Sequence, residues 1–134
     1  MVKVREPDPC PCGWGLAYEQ CCGKYHAGLR AGGTAAGAPT AEALMRSRYS
    51  AFVMGDGEYV SATWAPETRP SSLEIDPAGE PFTRLVILDT AGGGLLDTEG
   101  VVEFAAFYSG GVQRERSRFV KRAGQWLYLD GVVR

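Results

Sequence analysis

Cys10-Pro11-Cys12, then Cys21-Cys22 after eight intervening residues, gather every cysteine of this 134-residue chain into one short N-terminal segment. Thiolates so spaced can converge on a single metal ion. Structural zinc takes four soft, deprotonated donors in a tetrahedron, and four cysteines are one of its usual sets. The Cys-Pro-Cys pair offers two donors, Gly13 and Gly15 let the chain turn back, and Cys21-Cys22 offers the other two. His26, the only histidine, lies four residues further on and could replace one thiolate. A closed four-ligand site leaves no coordination position for a substrate, so Zn2+ here is expected to serve folding rather than reaction. Free thiols and a disulfide are the alternatives; a disulfide between adjacent cysteines is strained, and so tight a cluster favours metal.

Composition sets the frame around these residues. The chain is 45% hydrophobic and 22% charged with a net charge of −2, which suits one globular body with a small appendage and no global field toward nucleic acid or membrane. No apolar run approaches the roughly 20 residues of a membrane span, and the N-terminus lacks a signal-peptide pattern. A cytoplasmic protein is expected, where a reducing environment leaves thiols available to metal.

Residues 1–27 form the cysteine segment, and 28–39, rich in glycine and poor in bulky apolar groups, reads as a linker. Residues 40–134 are the body. Thr40 is placed to cap a helix whose Leu44, Met45, Tyr49, Phe52 and Val53 recur at helical spacing, and Gly55 stops it. Asp56 caps a short second helix, from Gly57 to about Trp64. Residues 65–81 hold four prolines and read as irregular. Strands are expected from Phe82 to Leu88, Val101 to Tyr108, Val112 to Lys121 and Gln125 to Val132, with tight turns at 109–111 and 122–124. Helices followed by an antiparallel meander make an α+β domain.

A two-residue turn at Gly110-Gly111 pairs Phe104 with Ser117 and Val102 with Phe119. One at Ala123-Gly124 pairs Phe119 with Tyr128 and Ser117 with Asp130. Paired residues share a face. One face then carries Val102, Phe104, Ala106, Tyr108, Phe119 and Tyr128 together with Glu115, Ser117 and Asp130. The other carries Arg114, Arg116 and Arg118, with Glu103 opposite Arg118. Three arginines in a row are costly to bury, so that face is expected to be wet. Glu115, Ser117 and Asp130 would then point toward the helices among aromatic rings, where a carboxylate must be paired, hydrogen-bonded or protonated. Arg46 and Arg48 are candidate partners. A buried ion pair between helix and sheet, or the polar lining of a ligand pocket, would each account for them.

The cysteine segment resembles the SEC-C zinc motif, named for the C-terminal tail of the preprotein translocase ATPase, through Cys10-Pro11-Cys12-Gly13 and Cys21-Cys22-Gly23. The resemblance puts the four ligands at Cys10, Cys12, Cys21 and Cys22, the last being Cys or His across the group. The rest resembles the YchJ-like uncharacterised bacterial proteins, through Leu44-Met45-Arg46-Ser47-Arg48-Tyr49-Ser50-Ala51-Phe52-Val53, Thr63-Trp64, Glu115-Arg116-Ser117-Arg118-Phe119 and Gly124-Gln125-Trp126-Leu127-Tyr128-Leu129-Asp130-Gly131. It implies a nuclear-transport-factor-two-like cone, a curved antiparallel sheet wrapped on helices around a cavity. The chain departs from many SEC-C motifs at Gly13-Trp14-Gly15-Leu16-Ala17-Tyr18-Glu19-Gln20, which has an acid and none of the usual lysines.

Two functions follow as expectations. One is an adaptor or small-ligand-binding module, with a protein partner at the zinc motif and a small ligand in the cone. The other is an isomerase, dehydratase or hydrolase using Glu115 or Asp130 as base, Ser117 as a further polar group, and Tyr49, Tyr108 or Tyr128 as hydrogen-bond donors. The arginine row reads as a solvated sheet face rather than a nucleic-acid surface.

Overall fold

The computed structural model describes residues 2–31, 37–73 and 81–134. Parts of the expected linker (32–36) and of the expected irregular stretch (74–80) lie outside the described residues. The element order is a 3-10 turn (Tyr18–Gln20), α1 (Cys22–Arg30), α2 (Ala41–Met54), α3 (Gly57–Ala62), β1 (Arg84–Gly92), β2 (Glu99–Tyr108), β3 (Gly111–Arg122) and β4 (Gln125–Val133). The strands form one antiparallel sheet in the order β1-β2-β3-β4, with helices packed on one face. α1 extends through Arg30 into the stretch expected to be linker.

The helix signals act as read. The Thr40 hydroxyl accepts from the Ala43 N–H at 3.1 Å, and α2 ends on Gly55 at φ 75°. Asp56 accepts from the Tyr59 N–H at 3.1 Å and opens α3, which closes at Ala62, earlier than expected. α2 is buried on more than one side: the cysteine segment covers part of it and the sheet another part.

The β2–β3 turn falls at Ser109-Gly110, so Phe104 faces Glu115, Glu103 faces Arg116 and Val102 faces Ser117. This register is two residues away from the expected one. Two residues is a full side-chain period, so each residue keeps its face. Val102, Phe104, Ala106, Ser117 and Phe119 are buried, while Arg114 and Arg118 are largely exposed. The arginine row faces outward and is held by carboxylates: Arg114 and Arg116 by Glu103, Arg116 also by Asp89, and Arg118 by Asp130.

Asp130 corrects the expectation for β4. Phe119 pairs with Tyr128 as read, but an irregularity between Arg118 and Phe119 then sets Asp130 opposite Arg118 and Gly131 opposite Ser117. The extra residue, Leu129, turns Asp130 to the outer face. There its carboxylate accepts from Arg118 Nε at 2.6 Å, and that pairing holds it below the usual carboxylate range.

Candidate functional site

The cysteine segment is a compact hairpin. Gly13 and Gly15 take φ values of 78° and 100°, Cys10 N–H donates to the Leu16 carbonyl at 2.9 Å, and Pro9 bridges to Ala17. This brings Cys10 and Cys12 back over the start of α1, where Cys21 and Cys22 wait. The four sulfurs all lie within 4.8 Å of one another and all four residues are buried, so they can hold one metal ion. Cys12 and Cys21 sulfurs are 3.5 Å apart. The thiols compete for charge. Hydrogen bonds from Cys12 and Cys22 pull Cys10 far below the thiol range. Burial and the neighbouring negative charge push Cys21 up to about 12, and hydrogen bonding to Cys10 and Cys12 raises Cys22 further. Four thiolates can coexist here only around a shared cation.

α2 presents two polar side chains to this hairpin. Arg46 Nη1 donates to the Cys12 carbonyl at 2.9 Å and its guanidinium lies 4.4 Å from the Trp14 ring centroid. Arg46 pairs with Glu42, not with the sheet carboxylates as expected. The Ser50 hydroxyl is 3.6 Å from the Cys10 sulfur. His26 is fully buried and does not join the sulfurs. Tyr18 donates its hydroxyl to Nδ1 at 2.6 Å, and Nε2–H donates to the Ser47 carbonyl at 2.9 Å. With both nitrogens committed, His26 is a strut between the cysteine segment and α2 rather than a substitute ligand.

A cavity of about 220 Å3 lies between the other side of α2 and the sheet. Met45, Phe52, Trp64, Phe104 and Tyr128 give its apolar wall; Arg48, Gln113, Glu115 and Ser117 give its polar groups. Glu115 Oε2 accepts from the Ser117 hydroxyl at 2.5 Å and from the Tyr128 hydroxyl at 3.1 Å. The carboxylate has room because residue 131 is glycine; a β-carbon there would collide with it. Burial and the nearby Glu115 charge push the Tyr128 phenol up, so it stays a donor.

Of the residues expected to line a pocket, Glu115, Ser117 and Tyr128 do so; Asp130 does not. Tyr49 and Tyr108 lie against the Phe82 ring instead, with centroids 5.9 Å and 6.3 Å away, and burial pushes Tyr49 up to about 12. Sequence reading considered Arg48 only as a carboxylate's partner and did not place Trp64 or Gln113 at the cavity. The signal for Arg48 was present: it stands between Met45 and Phe52 at helical spacing, a charge inside the apolar stripe.

Among the described residues no helix is long and apolar enough to cross a membrane. A family model described as "YchJ, middle NTF2-like domain" matches residues 40–131. A UPF0225 protein of Streptomyces coelicolor is 57% identical over 123 residues, covering 92% of this chain and 94% of its own length. One from Corynebacterium glutamicum is 52% identical over 127 residues, covering 92% and 96%. The solution structure of a SEC-C motif containing protein from Rhodopseudomonas palustris is similar with a TM-score of 0.74 at 34% identity, over 92% of this chain and 96% of that one. The crystal structure of a SEC-C motif containing protein from Psychrobacter arcticus gives 0.76 at 31% identity, over 96% and 84%.

Proposed function

Because this chain belongs to the YchJ-type, UPF0225 family with its NTF2-like domain, we propose that it is a cytosolic zinc-binding protein whose metal is structural and whose cone receives a small ligand. The observation that carries the metal half is the gathering of four buried sulfurs within 4.8 Å. A tetrahedron of thiolates about 2.3 Å from zinc has edges of about 3.8 Å, within reach of this cluster by small side-chain shifts. All four donors come from the protein, so the ion would fix the hairpin onto α1 and leave no open position for chemistry.

The same segment is suited to dock a partner protein. Trp14 and Leu16 are about half exposed beside an apolar groove of about 320 Å3 that runs along Tyr25, Pro39 and Ala43. The cavity carries the receptor half of the reading: it is lined by aromatic rings and a few converging polar groups, the usual make-up of a ligand site.

Metal analysis of purified protein tests the first half. One zinc per chain is expected in the native protein and well under half of that in Cys12→Ser, and cobalt substituted into the native protein should give the visible spectrum of a tetrahedral thiolate site. Equal metal content in the two proteins would refute the assignment of the ligands.

One observation favours an enzymatic second reading, an isomerase, dehydratase or hydrolase. Glu115 is a carboxylate on the wall of an aromatic cavity, oriented by Ser117 and Tyr128. At about 220 Å3, below the roughly 300 Å3 of ordinary ligand sites, the cavity limits a receptor and an enzyme alike to a small molecule. The receptor reading stands first because the chain's one histidine, the commonest general base, is committed to Tyr18 and Ser47 outside the cavity.

A further inference from the structure

Arg48 is only 4% exposed, yet among the described residues it has no carboxylate within salt-bridge distance. Both of its hydrogen bonds leave from Nη1, to the Val60 carbonyl and the Thr63 hydroxyl, each at 2.7 Å. Its guanidinium sits beside a perpendicular pair of aromatic rings, 5.2 Å from the Trp64 centroid and 4.7 Å from the Tyr128 centroid, which are 5.0 Å apart. Rings and neutral acceptors hold the group in place without neutralising it, and the carboxylate that favours its charged form, Glu115 of the same cavity, stands beyond salt-bridge distance. A charge buried in this way is destabilising unless something supplies the opposite charge. Desolvation lowers the Arg48 pKa to about 10, which leaves it fully cationic at neutral pH.

Trp64 lines the same wall with its ring, its indole N–H being buried out of reach of a water-sized molecule and without a partner among the described residues. The further group that points to a ligand is Glu115. Glu115 receives Ser117 and Tyr128 through Oε2 alone, and its other oxygen accepts nothing among the described residues. The cavity thus offers a guanidinium with no carboxylate at salt-bridge distance, an unmatched acceptor on Glu115, and an aromatic lining. Its volume is about seven waters' share of the liquid, enough for one substituted ring and too small for a nucleotide.

Building on the reading of the cone as a receptor, we propose that this cavity binds a small hydroxy- or amino-carboxylate, its carboxylate on Arg48 and its hydroxyl or ammonium on Glu115, with an apolar body among Phe52, Phe104 and Tyr128. An arginine already anchored through Nη1 and packed beside rings is suited to this, because its planar fork meets a carboxylate bidentately with little ordering left to do. Glu115 would disfavour a plain anion and so select for the second, proton-donating group.

Titration of the full 15N-labelled chain with mandelate, phenylglycine and mandelamide, followed by backbone and Trp64 indole shifts, tests the assignment. Mandelate or phenylglycine should bind and move the Trp64 indole resonance, and mandelamide, which lacks the charge, should bind at least tenfold more weakly. Arg48→Gln should abolish the preference for carboxylate over amide. Should that variant not fold, the acid–amide comparison on the native chain decides alone. Glu115→Gln should weaken phenylglycine at least tenfold and mandelate less, which separates the amino from the hydroxy acid. Equal binding of mandelate and mandelamide would overturn the inference and leave the receptor reading standing. No cavity shift with any of the three probes would overturn both.

Discussion

His26 shows how a single side chain ties the cysteine segment to the body. Its Nε2 faces a backbone carbonyl, which can only accept, so Nε2 carries the proton and Nδ1 takes the Tyr18 hydroxyl. Burial holds the imidazole pKa below its ordinary 6.5. The unfolded chain is therefore first to take up a proton as pH falls: this group's contribution is whole above about pH 6.5 and is lost progressively below it. Nitrogen-15 shifts of the ring should report the Nε2–H tautomer and, at pH 6.5, less protonation than a free imidazole; a ring protonated more than that would contradict the geometry. Tyr18→Phe removes one donor and strands Nδ1 in the core, at a cost of about 1 to 3 kcal/mol. Urea unfolding should show that loss with an unchanged slope, and no loss would mean that the pair contributes nothing to stability.

At the scale of elements, the faces of the sheet follow from alternation, whereas the pairing depends on details that alternation does not contain. Ser109-Gly110 and Gly110-Gly111 both satisfy a two-residue turn, and the choice between them moves the register by a whole period without turning any residue over. Val102, Phe104 and the outward arginines were legible for that reason. Asp130 was not, because the irregularity in β4 falls beside Tyr128, whose backbone bonds to Thr63 and Ala65 beyond α3, contacts distant in sequence. In α2, the Thr40 cap and the Gly55 stop were legible from local chemistry. The two-sided burial was not, since it needs the knowledge that the cysteine hairpin folds back over Arg46, Ser47 and Ser50. The Arg116 side chain gives a direct check on the faces. It lies among Asp89 and Glu103 on the solvated side, so Arg116→Ala should move the urea midpoint little, and less at high salt than at low. A collapse of the fold on this substitution would place the row in the core.

Across the whole molecule, the cysteine segment and the cone share one interior. Cys10, Cys12, Cys21 and Cys22 belong to the same buried cluster as Leu44, Met45 and Tyr49 of α2 and Val102, Phe104, Phe119 and Trp126 of the sheet. The hairpin is also bonded to α2 through Arg46 and His26, and Val2 N–H donates to the Val53 carbonyl at 2.9 Å. Sequence reading made residues 1–27 a small appendage joined to the body by a linker. With a continuous core, loosening the hairpin uncovers one side of α2, and α2 is the element that closes the cavity from the other side. Metal binding energy should therefore appear as stability of the whole domain. Chelation, or Cys12→Ser, is expected to cost about 3 kcal/mol or more, a fall of roughly 10 °C in Tm, within a single transition. Far-ultraviolet signal and Trp126 fluorescence should move together, because Trp126 sits in the shared cluster and donates to the Pro39 carbonyl at 3.2 Å. Two separated transitions, the sheet melting at its native temperature after the helical signal is lost, would show instead that the cone holds itself together without the cysteine segment.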